Sequence, residues 1–366
     1  IIIADYQVIT DRDTTEHIQD NVLNLVLDYM AAGIDPNKTM MFTHSAVPAE
    51  NQLLLPFLSL VTEAELHRNP TVKSEMEASG HALTGLLLTY PVHQACDILF
   101  CKANVVPIGK DNLPHVEITR TIARRFNEEF FDAASGIYHG ENPTPYRQAA
   151  NVVPLEYGLV PEADSARVLG SLLRDLDGTR DRIGTGFVGT LSMMELMPRI
   201  DPERAYRLAT QPDYPGWGFM ALSGATTMWE TWDGSASRNH PPFCLISAYF
   251  YKYLAGIRCD RAYPGFERFT VDPSIVGDLT FVEAWHDSPY GRIRSEWRRD
   301  GSRLTMKVSV PVGTTATIGV PTRDAAGVAE SGRPVSGTDG VKFLRAAGGK
   351  AFYEVGSGSY VFTSRL

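Results

Sequence analysis

With 366 residues, the chain is long enough for about two or three domains that each bury a core. Apolar residues at 43% and charged residues at 21% exclude a disordered or fibrous chain, and a net charge of −9 argues against a broad footprint on phosphate backbones. The four cysteines, Cys96, Cys101, Cys244 and Cys259, form no Cys-x-x-Cys pair, so reduced thiols are expected and a thiolate metal site is not.

Ile1 to Ala4 is a short β-branched run, the pattern of a buried parallel strand. Asp5 follows at once, no basic segment precedes an apolar core, and no apolar run approaches the roughly 20 residues of a membrane helix. A cytoplasmic chain with no membrane partner is therefore expected, and the start without Met suggests further residues upstream. Asp13-x-x-Glu16 reads as a capping box before a helix carrying Ile18, Val22, Leu25, Val26 and Tyr29, stopped by Gly33 and Pro36. Thr39 to Thr43 gives a second strand, Asn51 to Thr62 and Pro91 to Cys101 give helices, and Val105 to Ile108 gives a third strand. Asp111 or Asn112 then caps a helix with the stripe Val116, Thr119, Ile122, Ala123 and Phe126. Strand–helix alternation predicts an α/β, Rossmann-like half with right-handed crossovers. Ligands in such sheets gather beyond the carboxyl ends of the strands, which favours Asp5, Tyr6, Gln7 and the Gly109 to Asn112 turn.

The strings ADYQVITDRD, LDYMAAGIDP, FTHSAVP, TYPVHQACDILFCKANVVPIGKDNLPHVEITR and IARRFNE, which fill most of residues 1–128, resemble tryptophanyl-tRNA synthetase. The resemblance implies that Asp97 receives a substrate indole N–H, with Tyr90 and Gln94 as pocket wall. Gln94 and Asp97, three residues apart, share a helix face. Asn112 joins this amino-acid site where the family usually has Gln, and Cys96 stands where it usually has Ala. Neither ATP signature of class I synthetases occurs, and no Gly-x-x-x-x-Gly-Lys-Ser/Thr or Gly-x-Gly-x-x-Gly motif replaces them. Aminoacylation, tRNA as a partner and any cofactor are not expected; an L-tryptophan-binding module without ATP chemistry is the alternative reading that the resemblance implies for this segment.

Beyond Glu129 the period becomes helical. Ala166, Leu169, Leu172, Leu173 and Leu176 mark one helix, Phe187 to Met197 another and Phe243 to Leu254 a third, while Asp201-Pro202-Glu203 opens one with a cap and Pro at its first position. After about Cys259 the period is two. Leu304, Met306, Val308 and Val310 alternate with polar residues after an Asp300-Gly301 turn. With Leu279 to Trp285, Arg292 to Trp297, Thr315 to Val320 and strands near the C-terminus, an antiparallel β-sandwich is expected.

Between these regions lies YPGWGFMALSGATTMWETWDGSASRNHPPF, which concentrates Trp217, Trp229, Trp232, Glu230, Asp233 and His240. Aromatic faces that stack on sugar rings, beside carboxylates that bond hydroxyls, suit a carbohydrate cleft. Together with YRQAANVVPLEYGLVP, TGFVGT and YKYLAGI, this string resembles inverting α-L-rhamnosidases built on an α/α toroidal barrel. The resemblance implies Glu230 as general base, His240 as a substrate-binding histidine, and Trp217, Trp232 and Asp233 around the sugar. It also implies a general acid from the barrel's first half, a position that the synthetase-like segment occupies here, so weak or absent hydrolysis is expected.

The expected organisation is a chimera, a Rossmann-like fragment over residues 1–128, a helical half-barrel over 129–262 and a β-sandwich over 263–366, and an artificial or rearranged chain with no catalytic function is a further reading. The junction falls near Arg125 to Phe130, where no Pro-, Gly- or Ser-rich linker intervenes. Incomplete domains leave apolar faces unpartnered, so self-association is expected.

Overall fold

The computed structural model describes residues 1–11, 15–36, 39–79, 83–101, 103, 105–140, 146–260 and 263–366. It forms two compact units, residues 1–175 and 176–366.

In the first unit, strand Ile2–Ile3 pairs in parallel with Phe42–Thr43. Between them runs the Ile18–Ala31 helix, ended at Gly33 with φ +96°. Among the described residues, this strand–helix–strand unit is the part of the Rossmann-like sheet that forms. The third expected strand does not form: residues 105–108 carry no regular structure and Val105 is 79% exposed. Pro107, which lacks a backbone N–H, cannot donate to a central ladder. The expected capping box falls on Asp13, outside the described residues, and the helix begins after His17 instead. The span expected as one helix from Asn51 is broken into a 3₁₀ stretch, Pro48–Leu53, and a short helix, Leu54–Leu58. Thr62 then caps the Glu63–Arg68 helix in a complete capping box with Glu65.

Two longer helices hold the unit together. Gly85–Phe100, capped by Thr84, packs Val92, Ala95 and Cys96 against Ile122 of Leu113–Phe130, with Phe57, Leu60 and Leu66 closing the core. The Leu113–Phe130 helix runs unbroken through Arg125 to Phe130. Arg125 donates to both Glu65 oxygens, at 2.9 and 2.5 Å, and to Leu60 O at 2.8 Å. Phe126 and Phe130 pack against this core and also against the cluster of Tyr138, Val160 and Val168, so the two clusters share them. The helices Gln148–Tyr157 and Glu162–Thr179 follow, the first closed by Gly158 in the left-handed conformation.

The second unit opens with helical hairpins. Phe187–Ile200 leads into Pro202–Thr210, whose cap is the expected one: Asp201 accepts from Arg204 N at 2.9 Å and Pro202 occupies the first position. The run from Pro241 to Leu254 is helical throughout, passing from 3₁₀ through α to π geometry. Two sheets complete the chain, one of five strands and one of six. Strands Gly291–Asp300 and Arg303–Val310 turn at Gly301-Ser302 with Gly301 at φ +55°, and Leu304, Met306, Val308 and Val310 all face inward. Trp297, Phe362 and Met306 of one sheet meet Phe269, Ile318 and Tyr353 of the other in a single core, so the sheets form a sandwich. Its pairing is antiparallel except for Thr315–Pro321, which runs parallel to Arg268–Val271.

Candidate functional site

Tyr90, Gln94 and Asp97 do share one side of the Gly85–Phe100 helix, as their four- and three-residue spacing dictates. What meets them was not anticipated. Tyr90 Oη lies 3.2 Å from His115 Nε2, and His115 Nδ1 lies 2.5 Å from Gln94 Oε1, so one buried imidazole engages both side chains. Burial drives the His115 pKa down to about 4, keeping the ring neutral. Burial also raises Tyr90 above the usual phenol range. Asn112 lies apart from this triad in its hydrogen bonding and donates to Asp111 Oδ2 at 3.0 Å.

Asp97 faces other groups. His44 Nε2 stands 3.2 Å from Asp97 Oδ1, and the His44 ring meets His93 edge-on at 4.7 Å. Neither the His44 nitrogens, Asp97 Oδ1 nor either oxygen of buried Glu50 has a hydrogen-bond partner of acceptable geometry. Burial, then the neighbouring Asp97 carboxylate, raises the Glu50 pKa. Burial opposes ionisation of Asp97 too, but His44 and Glu50 outweigh it and lower its pKa. His44, His93 and His115 were missed because a lone histidine is usually a satisfied core residue, and Glu50 because a lone glutamate is usually solvated. The available signals were His44 directly after the Phe42–Thr43 strand, where ligands gather, and His93 one helical turn before Asp97. Asp5, favoured by the same rule, accepts instead from Ser45 N at 3.2 Å.

In the second unit, residues 223–240 form neither helix nor strand, so Glu230 and Asp233 sit on a tight turn and not on one helix face. Glu230 N–H donates to Ser237 O at 2.8 Å, and Ser237 N–H returns to Glu230 Oε2 at 3.2 Å. Gly234, at φ +68°, closes the turn over Trp229, and a Cβ there would lie 2.8 Å from the indole. The loop is anchored from below. Trp232 stacks on Phe243 at 3.9 Å and donates from Nε1 to Thr185 O at 2.7 Å. Trp217 meets Trp232 edge-on at 5.1 Å and donates to Phe243 O at 3.0 Å. Both indoles are buried, Glu230 is partly exposed, and Asp233 is exposed. Hydrogen bonds from Ser235 hold Asp233 down to about 2. His240 N–H donates to Met228 O at 2.9 Å, which fixes the far end of the loop.

Taken together, the chain is composite: a class I synthetase-like part followed by a helical-hairpin glycosidase-like part with its β-sandwich. Residues 1–145 match the family of class I tRNA synthetases for W and Y. Residues 108–254 match the bacterial alpha-L-rhamnosidase 6 hairpin glycosidase domain, and residues 256–333 match the bacterial alpha-L-rhamnosidase C-terminal domain. The first two matches overlap over 108–145, which contains the unbroken Leu113–Phe130 helix. Among particular proteins, an alpha-L-rhamnosidase of Streptomyces avermitilis is 30% identical over 70% of this chain, which spans 24% of that protein. A tryptophan–tRNA ligase of Streptococcus mutans is 36% identical over 50% of this chain, which spans 54% of it. The solved S. avermitilis alpha-L-rhamnosidase, complexed with L-rhamnose, superposes with a TM-score of 0.62 at 27% identity, covering 75% of this chain and 26% of that one. A Dictyoglomus thermophilum alpha-L-rhamnosidase gives 0.61 at 27% identity, covering 76% of this chain and 32% of that one.

Proposed function

We propose that the chain carries the sugar-binding, water-activating part of an α-L-rhamnosidase-type site, with Glu230 as general base and Trp217, Trp232, Asp233 and His240 shaping an L-rhamnoside pocket. The observation that carries this reading is the Glu230 turn. Ser237 N–H holds Oε2, Oε1 makes no hydrogen bond among the described residues, and the buried Trp232–Phe243 stack keeps the turn rigid. A carboxylate fixed through one oxygen and open at the other is suited to accept a proton from an attacking water. Trp217 and Trp232, being buried, act here as the floor that positions the loop, while Asp233, ionised at any working pH, accepts from sugar hydroxyls.

Inversion also needs a carboxylic acid roughly 6.5 to 9.5 Å from the base, and no such partner is assigned among these residues. Turnover is therefore slow, by about 100 to 10,000-fold against an enzyme with both groups. The test is nitrophenol release from an aryl α-L-rhamnoside, whose leaving group needs little protonation. Slow release that Glu230→Gln abolishes supports the proposal; release unchanged in Glu230→Gln removes Glu230 from the chemistry.

L-Tryptophan binding at Tyr90, Gln94, Asp97 and Asn112 is the second reading, favoured by the shared helix face. Against it, His115 already engages Tyr90 and Gln94, and His44 stands against Asp97. Chimeric organisation with a boundary near residue 128, inside the overlap of the first two family matches at 108–145, accounts for that overlap. Self-association is supported by Leu23, Leu27 and Met30, which lie along one side of the Ile18–Ala31 helix and are all exposed.

A further inference from the structure

The sequence suggested no metal, yet the groups around Asp97 are arranged as ligands. His44 and Glu50 are buried, at 0% and 1% exposure, and leave four side-chain atoms without hydrogen-bond partners; Asp97 Oδ1 is a fifth. Buried polar atoms are normally hydrogen-bonded, so His44 Nδ1 and both Glu50 oxygens, beside a His44 Nε2–Asp97 Oδ1 contact that misses hydrogen-bond geometry, leave bonding capacity that an occupant can fill. Geometry says which kind. Zinc bonds of about 2.0 to 2.1 Å in a tetrahedron place neighbouring ligand atoms about 3.3 Å apart. His44 Nε2 and Asp97 Oδ1 are 3.2 Å apart without forming a hydrogen bond, and the ligand atoms of His44, His93 and Asp97 all lie within 4.8 Å of one another.

The surroundings fit as well. With His93 Nε2 donating to Asn51 Oδ1 at 2.7 Å, Nδ1 keeps its lone pair, the kind of outer hydrogen bond that fixes the tautomer of a metal-binding imidazole. Two imidazoles with two carboxylates favour a borderline ion of the zinc class over magnesium or calcium, and a divalent charge neutralises both acids. The ligands come from three separately placed pieces: the end of the Phe42–Thr43 strand, the Pro48–Leu53 stretch and successive turns of the Gly85–Phe100 helix.

We propose that His44, His93 and Asp97, with Glu50 as fourth ligand, form a binding site for a Zn²⁺-class divalent ion. The site is independent of the sugar reading. An ion there occupies Asp97, so the loaded chain has no free carboxylate to offer an indole N–H.

The test uses the purified full chain, stripped with a chelator, dialysed, and titrated with Zn²⁺ by calorimetry and with Co²⁺ by visible absorption. We expect one equivalent of each per chain, an intense Co²⁺ spectrum of tetrahedral type, and a higher melting temperature with Zn²⁺. Asn51→Ala should weaken Zn²⁺ binding by about 10 to 100-fold, and His93→Gln should weaken it further. A weak, octahedral Co²⁺ spectrum, or no stoichiometric binding by the unmodified chain, overturns the site. So does Zn²⁺ affinity unchanged in a folded His93→Gln variant. The Co²⁺ spectrum of the unmodified chain decides the matter even where a variant fails to fold.

Discussion

His115 shows how one residue type reads differently in place. In the sequence it lies just before the apolar stripe of its helix and carries no signal of its own; in the fold it is wholly buried between Tyr90 and Gln94. Its pKa falls from the ordinary 6.5 to about 4 because burial disfavours the charged ring. Between those values the unfolded chain binds a proton that the folded chain does not, so His115 lowers stability as the pH drops from about 6.5 to 4. Thermal melts across that window should show a decline that His115→Gln, which keeps a hydrogen-bonding amide, flattens. An unchanged slope would place the acid sensitivity elsewhere.

At the scale of elements, the sandwich core carries the clearest stability expectation. Trp297 is buried and its Nε1 donates to Leu254 O at 2.9 Å, so Trp297→Ala leaves both a cavity and an unpaired carbonyl. A loss of about 3 to 5 kcal/mol is expected by chemical denaturation. The Ile18–Ala31 helix carries the opposite kind of consequence. Leu23 and Leu27 are each more than half exposed, so Leu23→Glu with Leu27→Glu should shift a concentration-dependent sedimentation profile towards monomer. A profile that is monomeric at all concentrations in the unmodified chain would rule this face out as a contact.

At the scale of the whole molecule, legibility followed the range of the interaction. The alternation Leu304, Met306, Val308, Val310 was readable because period two is a local property, and all four face inward. Asp201-Pro202 was readable because a cap needs only its own turn. Val105 to Ile108 misled because its β-branched residues outweighed Pro107, and Glu230 to Asp233 cannot be placed on a helix by spacing when glycine and serine shape a turn. The Glu230 loop stands out in the sequence through its composition and its resemblance to α-L-rhamnosidases, not its geometry. His44 and Asp97 are 53 positions apart and their meeting has no local signature. Such pairings arise from tertiary packing, in this case of a strand end on a helix flank.

The central claim, that the Glu230 turn belongs to a sugar site, is tested most directly by calorimetric titration of the full chain with L-rhamnose. We expect a saturable heat with one site per chain, weakened at least about tenfold, equivalent to about 1.4 kcal/mol, by Asp233→Asn. No heat from a cooperatively folded chain, or identical titrations for the unmodified and Asp233→Asn proteins, would contradict it.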